Sequence, residues 1–330
     1  MSNYAIIEKL KNSKSICLIG HATPDTDALC SMVVFKHFLT SYLNVQQVDL
    51  FADTEFIPDY YQAILEDETI NGEVGEYEYA ITLDTSNPVL LGKYQSILEK
   101  AKNTIVIDHH NTNLKYGNFN IVKYCSSTCE MVYRILSYYN YIPSVEDYGK
   151  IYAGIITDTN NLTVGNMSEK TFGIVGECYS KTDCQKIYKH FFSNNTLKKQ
   201  LIFAKAIQNC KSYNNEEILI SHISIDENFS LKGENQDYTG IINRIAQTAK
   251  AKLVCFVYPK NDTYYVSLRA IKGYDVSEIA KKHGGGGHIG AAAFEAKLPA
   301  VEIEETILKD FIEELSVKNV PNSNNPFKNN

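Results

Sequence analysis

The feature that most constrains this chain is a change of period that recurs along its first half. Short apolar runs rich in β-branched residues alternate with segments whose apolar residues return at helical spacing. "SKSICLIG" (13–20), "QVDLFA" (47–52), "YAITLDT" (79–85) and "NTIVIDHH" (103–110) read as strands. "DALCSMVVFKHFLTSYL" (27–43), "LLGKYQSILEKAK" (90–102), "STCEMVYRILSYY" (127–139) and "VEDYGKIYAGIITDT" (145–159) read as helices. Strands that follow one another through helices predict an α/β fold: a parallel sheet with right-handed crossovers.

The second half is organised differently. From about 160 to 212 the text is polar and helical and reads as a connector. Strands then return in "EILISHISI" (217–225), "KLVCFVYPK" (252–260), "DTYYVSLRA" (262–270) and "AAAFEAKL" (291–298), accompanied by two helical segments. The expected organisation is a first α/β domain over 1–190, a helical connector over 191–212 and a smaller α/β domain over 213–318. The polar, Asn- and Pro-containing stretch 319–330 is expected to be a disordered tail. No internal repeat is visible.

Composition narrows the class. Of 330 residues 44% are hydrophobic and 22% charged, which predicts a packed core. Thirty-two basic against 39 acidic residues leave a net charge of −7, which argues against a protein that tracks long duplex DNA. Eight cysteines without a CxxC pair fit reduced thiols in the cytoplasm. The first residues lack a long apolar core of a secretory leader, and no run of about 18 apolar residues predicts a membrane span.

The chemistry lies where the predicted strands and helices end. "TIVIDHHNTN" (104–113) stops an apolar run at Asp108, His109 and His110. "CLIG" runs into "HATPDTDALCS", with His21, Asp25 and Asp27; "AITLDTSN" ends in Asp84; "AGIITDTNN" carries Asp158. The carboxyl ends of parallel strands share one edge, so groups scattered over nearly 140 residues of sequence can meet in one crevice. Each has a plainer reading alone: Asp25 or Asp27 as a helix cap, Asp84 in an Asx turn, His109 as a core histidine, Asp158 as a loop residue. Together they form a donor set of carboxylates and imidazoles without thiolates. Such a set suits Mn²⁺ or a similar divalent ion, and its size suits two ions about 3.5–4 Å apart, as in phosphoryl hydrolysis.

In the second half, "KKHGGGGHIGAAAF" (281–294) sets four glycines between His283 and His288. Consecutive glycines let a backbone wrap closely around a ligand; a flexible hinge is the plainer alternative. Arg269, in "SLRA", can offer a bidentate phosphate contact or a surface ion pair.

With these residues assembled, the chain resembles the DHH phosphoesterase family. "HATPDTDALCS", "ITLDTSN", "VIDHHNTN" and "GIITDTNN" look like its four motifs in order, and "SLRA…KKHGGGGHIGAAAF" looks like a DHH-associated C-terminal domain. The two-domain size is most similar to bacterial nanoRNases, which degrade very short oligonucleotides and often dephosphorylate pAp. The resemblance implies two Mn²⁺ ions, with Mg²⁺ or Co²⁺ able to stand in. His21, Asp25 and Asp84 would hold one ion; Asp27, Asp84, His109 and Asp158 would hold the other, with Asp84 bridging. His110 would face the scissile phosphate and Asp108 would orient the motif. Arg269, Gly285, Gly286, Gly287 and His288 would grip the nucleotide. A homodimer is a further expectation by analogy. Cyclic di-AMP or pApA as substrate is the alternative within the same fold. A family II inorganic pyrophosphatase shares the first motif but lacks the GGGGH loop. A nucleotide sensor without turnover is the non-enzymatic alternative.

Overall fold

The structure is a computed structural model. It describes residues 3–53, 64–65, 68–193 and 196–319, with the side chains of Asn3, His288 and 317–319 set aside. The chain divides into two compact units, Met1–Asn194 and Asn195–Asn330.

The first unit is built on five parallel strands in the order β2-β1-β3-β4-β5. They are β1 (Ser15–Ile19), β2 (Gln47–Phe51), β3 (Tyr79–Leu83), β4 (Asn103–Asp108) and β5 (Phe119–Val122). Helices α1 (Thr26–Ser41), α2 (Gln95–Lys100), α3 (Thr128–Tyr138), α4 (Val145–Asp158), α5 (Glu169–Lys181) and α6 (Cys184–Phe192) accompany the sheet. Both sheet faces are covered, which is why the strand sequences run apolar without alternation. Ile16, Leu18, Ile81 and Ile105 share a core with Phe35 of α1, Val132 of α3 and Ile155 of α4. Cys17, Ile19 and Ala80 share another with Leu91, Ile97 and Leu98. Chain order runs from β1 to β2 on one side and returns through β3 on the other. The crevice of such a sheet therefore opens beyond the carboxyl ends of β1 and β3.

Two local outcomes differ from the sequence reading. The helix expected over 90–102 begins only at Gln95; Pro88–Tyr94 is a 3₁₀ segment broken at Gly92, whose φ is +57°. A Cβ there would stand 2.1 Å from Asp53 Oδ2, so only glycine lets the chain pass. Strand β5 was not anticipated, because four residues give too short a run to show a period.

The second unit contains a six-stranded sheet ordered β10-β11-β9-β8-β7-β6. Its elements are α7 (Leu197–Gln208), β6 (Lys211–Tyr213), β7 (Ile218–His222), α8 (Ile225–Leu231), α9 (Ile241–Ile245), β8 (Leu253–Lys260), β9 (Thr263–Ala270), α10 (Val276–Lys282), β10 (Gly286–His288), β11 (Ala291–Ala296) and α11 (Ala300–Asn319). Only β7 and β8 pair in parallel. Alternate residues of β8 feed two cores: Leu253, Cys255 and Val257 pack with Ile303, Ile307 and Phe311 of α11. Val254 and Phe256 pack with Ile202 and Ala206 of α7. The region expected as a connector thus includes a helix, α7, that is part of this unit's core; its apolar residues at i and i+4 needed a sheet to cover. Residues 320–330 of the expected tail lie outside the described residues. No helix among the described residues is long and apolar enough to cross a membrane.

Candidate metal centre

Each candidate ligand of the first unit stands where a regular element starts or stops. His21 follows β1 by one residue after Gly20, and Asp25 is the N-cap of α1, its carboxylate accepting from Ala28 N at 3.0 Å. The capping role read as an alternative for Asp25 therefore holds alongside its place in the cluster. Asp27 lies in the first turn of α1 and accepts from Thr128 N at 2.6 Å and Cys129 N at 2.9 Å, the first amides of α3. A carboxylate there complements the positive end of that helix. Asp84 ends the β3 run with φ +55°, a left-handed conformation that Asp tolerates better than most side chains. Asp108 closes β4, and Asp158 closes α4.

The fold gathers these residues into three overlapping groups: His21, Asp25 and Asp84; Asp27, His109 and Asp158; and Asp84, Asp108, His109 and His110. Within each group the ligand atoms lie within 4.8 Å of one another. His21 Nε2 is 3.9 Å from Asp25 Oδ1 and 3.8 Å from Asp84 Oδ2. His109 Nε2 is 3.4 Å from Asp84 Oδ1 and 3.5 Å from Asp158 Oδ2. Asp84 turns one oxygen toward each of the two imidazoles, and it is buried.

The imidazoles are oriented as ligands are. His21 Nδ1 lies 2.9 Å from Ala22 O, and His109 Nδ1 lies 3.1 Å from Cys125 O. Donation from Nδ1 to a carbonyl leaves Nε2 of each ring facing the carboxylates. His109 Nε2 is a buried nitrogen without a hydrogen-bond partner among the described residues.

Electrostatics points the same way. Burial works against charge on His109, yet its contact with Asp84 and the charges of Asp27, Asp84 and Asp158 raise it to about 10. Burial likewise opposes charge on His21, and Asp25 and Asp84 lift it to about 9. Asp158 is raised to about 6 by burial, with repulsion from Asp84 and Asp25 adding to it and His109 opposing. Burial and the charges of Asp84 and Asp158 hold Asp27 well above the ordinary carboxylate range. Crowded carboxylates retain protons where a cation would otherwise balance them. The donor set, the free imidazole nitrogen and the mutual repulsion all fit a divalent metal ion.

Some supporting groups were not legible as such. Thr128 Oγ1 donates to Asp84 Oδ1 at 2.9 Å, and Asn113 Nδ2 donates to Asp108 Oδ2 at 2.6 Å. Asp108, fully buried, also accepts from His109 N at 2.9 Å and pairs with His110 Nδ1 at 2.7 Å. The hydrogen bond to Asp108 raises His110, against its burial. Thr128 follows the helix-capping Ser127, a pattern that signals a helix start and says nothing of the partner across the sheet edge.

The second unit's candidate residues have contacts of their own. Arg269 Nε donates to Asn243 Oδ1 at 2.9 Å and Nη1 donates to Leu268 O at 2.9 Å. Among the described residues these bonds, and not the surface ion pair considered as its alternative, hold Arg269. The four-glycine run enters strand β10, which pairs with β11. A Cβ on Gly285 would lie 2.2 Å from Ala293 O, and one on Gly287 2.5 Å from Ala292 Cα. Those two glycines are required by close strand packing, whereas Gly286 faces open space. The side chain of His288 lies outside the described residues.

Comparison with known proteins agrees with this architecture. Residues 15–157 match the DHH family, N-terminal domain, and residues 216–316 match the DHHA1 domain. The chain is 26% identical over 332 residues to the cyclic-di-AMP phosphodiesterase GdpP of Geobacillus thermodenitrificans, covering 92% of this chain and 47% of that protein. It is 24% identical over 298 residues to the probable bifunctional oligoribonuclease and PAP phosphatase NrnA of Streptococcus mutans, covering 86% of this chain and 90% of that protein. The chain spans about half the length of several curated relatives it matches, GdpP among them. An exopolyphosphatase-related protein from Bacteroides fragilis shares the fold, with a TM-score of 0.82 at 21% identity, covering 96% of this chain and 98% of that one. A DHH domain holding this carboxylate–imidazole cluster, followed by a DHHA1 domain, makes the chain a member of the DHH phosphoesterase family.

Proposed function

We propose that this chain is a Mn²⁺-dependent phosphodiesterase that hydrolyses short oligoribonucleotides to mononucleotides and dephosphorylates pAp. The observation that carries the reading is the shared use of Asp84: one buried carboxylate faces both His21 and His109, so the cluster fits a pair of ions and not one. His21, Asp25 and Asp84 would hold one ion; Asp27, Asp84, His109 and Asp158 would hold the other. The preference for Mn²⁺ rests on mixed oxygen and nitrogen donors without thiolate.

Two such ions, when bound, supply hydroxide near neutral pH and offset the charge of the reacting phosphate. The protein's part is positioning. Asp108 holds His110 by its Nδ1 at 2.7 Å, leaving the opposite nitrogen to hydrogen-bond a phosphate oxygen. The bond to Asp108 raises the His110 pKa, against its burial. Arg269, Gly285, Gly286, Gly287 and His288 would face the nucleotide; Gly285 and Gly287 also answer the packing against β11, and Gly286 is the one of the three whose Cβ position is open.

Similarity to the probable bifunctional oligoribonuclease and PAP phosphatase of S. mutans supports the oligonucleotide reading. Similarity to a cyclic-di-AMP phosphodiesterase supports cyclic di-AMP or pApA as the second reading. Product chromatography with purified protein and Mn²⁺ separates them, using pApA, a five-nucleotide RNA, cyclic di-AMP and pAp. Fastest turnover of pApA and RNA supports the first. Opening of cyclic di-AMP at a comparable rate supports the second.

A further inference from the structure

A basic cavity in the first unit is not used by the metal cluster. It measures about 340 Å³ and is lined by Lys123, Tyr124, Cys125 and Arg134 on one side, and by Asn166, Ser168, Glu169 and Lys170 on the other. We propose that this cavity is a second phosphate subsite, which takes a neighbouring phosphate of a single-stranded oligonucleotide whose scissile phosphate lies at the metal cluster. The inference rests on the phosphodiesterase reading and adds to it how a substrate longer than one nucleotide is held.

The cavity shares a wall with the metal cluster. The Cys125 carbonyl that receives His109 Nδ1 at 3.1 Å belongs to a residue lining the cavity. Lys123 N donates to Asp108 O at 3.1 Å, so the same segment is pinned to the end of β4. On the other side, the segment that leaves Asp158 at the end of α4 reaches the cavity at Asn166, whose Nδ2 donates to Tyr124 O at 2.7 Å. Both walls are therefore direct continuations of the segments that carry ligand candidates.

Its lining suits a phosphate rather than a cation. Glu130, the buried partner of Arg134, is already satisfied: it accepts from Ser126 N at 3.3 Å and Thr171 Oγ1 at 2.8 Å, and from Ser126 Oγ and Arg134 Nη2. After that pairing, Arg134 Nε and Nη1 remain buried donors without an acceptor among the described residues. The guanidinium thus adds positive charge next to the cavity that one buried carboxylate shares, which favours an anionic occupant. Lys123 and Lys170 are exposed at the mouth, and no ion pair is recorded for either among the described residues. Tyr124, 55% exposed, adds an aromatic face beside the lysines. Basic side chains with an exposed aromatic are how single strands are bound without sequence preference.

The test is the double variant Lys123→Ala/Lys170→Ala, which alters only exposed side chains. Equilibrium binding of a 3′-labelled adenosine trinucleotide in EDTA, where turnover stops, reads the subsite directly. Wild-type binding weakens with salt, and losing the one phosphate held in the cavity lowers the log–log salt slope by roughly 0.7 on a single strand. With Mn²⁺, the ratio of kcat/KM for the trinucleotide to that for bis(p-nitrophenyl) phosphate, which has one phosphate, falls about tenfold. An unchanged salt slope, or equal losses on both substrates, overturns the subsite. If the wild-type protein binds the trinucleotide with the expected slope change but never cleaves it, the subsite stands and the phosphodiesterase reading falls.

Discussion

Asp84 and His109 meet across 3.4 Å at the edge of the first sheet, one from the end of β3 and the other from the end of β4. Asp84 adopts a left-handed backbone to make this contact, while Thr128 steadies the same oxygen. This pairing joins the His21 side of the cluster to the Asp158 side, so its loss has distinctive consequences.

Asp84→Asn removes a charge from a group of mutually repelling carboxylates. In the metal-free protein the relief of repulsion is offset by the lost pairing with His21 and His109, so stability is expected to change by less than about 1 kcal/mol. The stabilisation that Mn²⁺ brings, about 2.7 kcal/mol at a hundredfold excess over Kd, is expected to be largely lost. Thermal melts with and without Mn²⁺ check both, and elemental analysis should find fewer than two ions per chain. An unaltered metal-induced shift in Tm rules out Asp84 as a shared ligand.

Asp108→Asn leaves the ligand candidates in place but weakens the charge that holds His110 Nδ1 at 2.7 Å. A loss of roughly 10–100-fold in kcat is expected, in the range seen when groups that orient metal-site residues are changed. Mn²⁺ titration should show a smaller change in affinity than Asp84→Asn does. A normal kcat would mean that His110 is not positioned through this bond.

Gly285→Ala and Gly286→Ala separate packing from binding. A Cβ on Gly285 meets Ala293 O at 2.2 Å, so β10 must move from β11 at a cost of about 1–3 kcal/mol. A Cβ on Gly286 meets nothing within 4 Å, so its stability should change by less than about 0.5 kcal/mol. Urea midpoints test this difference. Reduced oligonucleotide affinity in Gly286→Ala at normal stability would assign that position to substrate.

His37 offers a pH test away from the cluster. Its Nδ1 lies 2.7 Å from buried Asp147 and its Nε2 3.4 Å from Glu68, and the Asp147 bond raises its pKa above 6.5 despite partial burial. A raised folded-state pKa stabilises fully below the unfolded value and loses that contribution as pH rises through the folded value. His37→Asn is therefore expected to cost about 1 kcal/mol near pH 6 and clearly less at pH 9. Denaturation at both pH values checks the sign; a cost that grows with pH contradicts it.

The sequence by itself determined the α/β alternation and the candidate chemistry. Apolar runs such as "CLI" and "IVI" and the helical spacing of 27–43 arise from local periods, and local periods survive without knowledge of partners. The DHH and DHHA1 domains were legible because their motifs are contiguous in sequence. Only the tertiary structure decided what depends on distant residues. Asp27 is held by the amides of Thr128 and Cys129, about 100 positions away, and Asp84 by the hydroxyl of Thr128. Gly285 and Gly287 turned out to be packing glycines because Ala291–Ala296 returns against them, a contact no run of glycines announces. The α7 helix joined the second core because β7 and β8 supply the apolar surface that its Ile202 and Ala206 cover. A residue type and its spacing limit what a segment can do; which atoms it meets is set by chain crossings that bring remote segments within bonding distance.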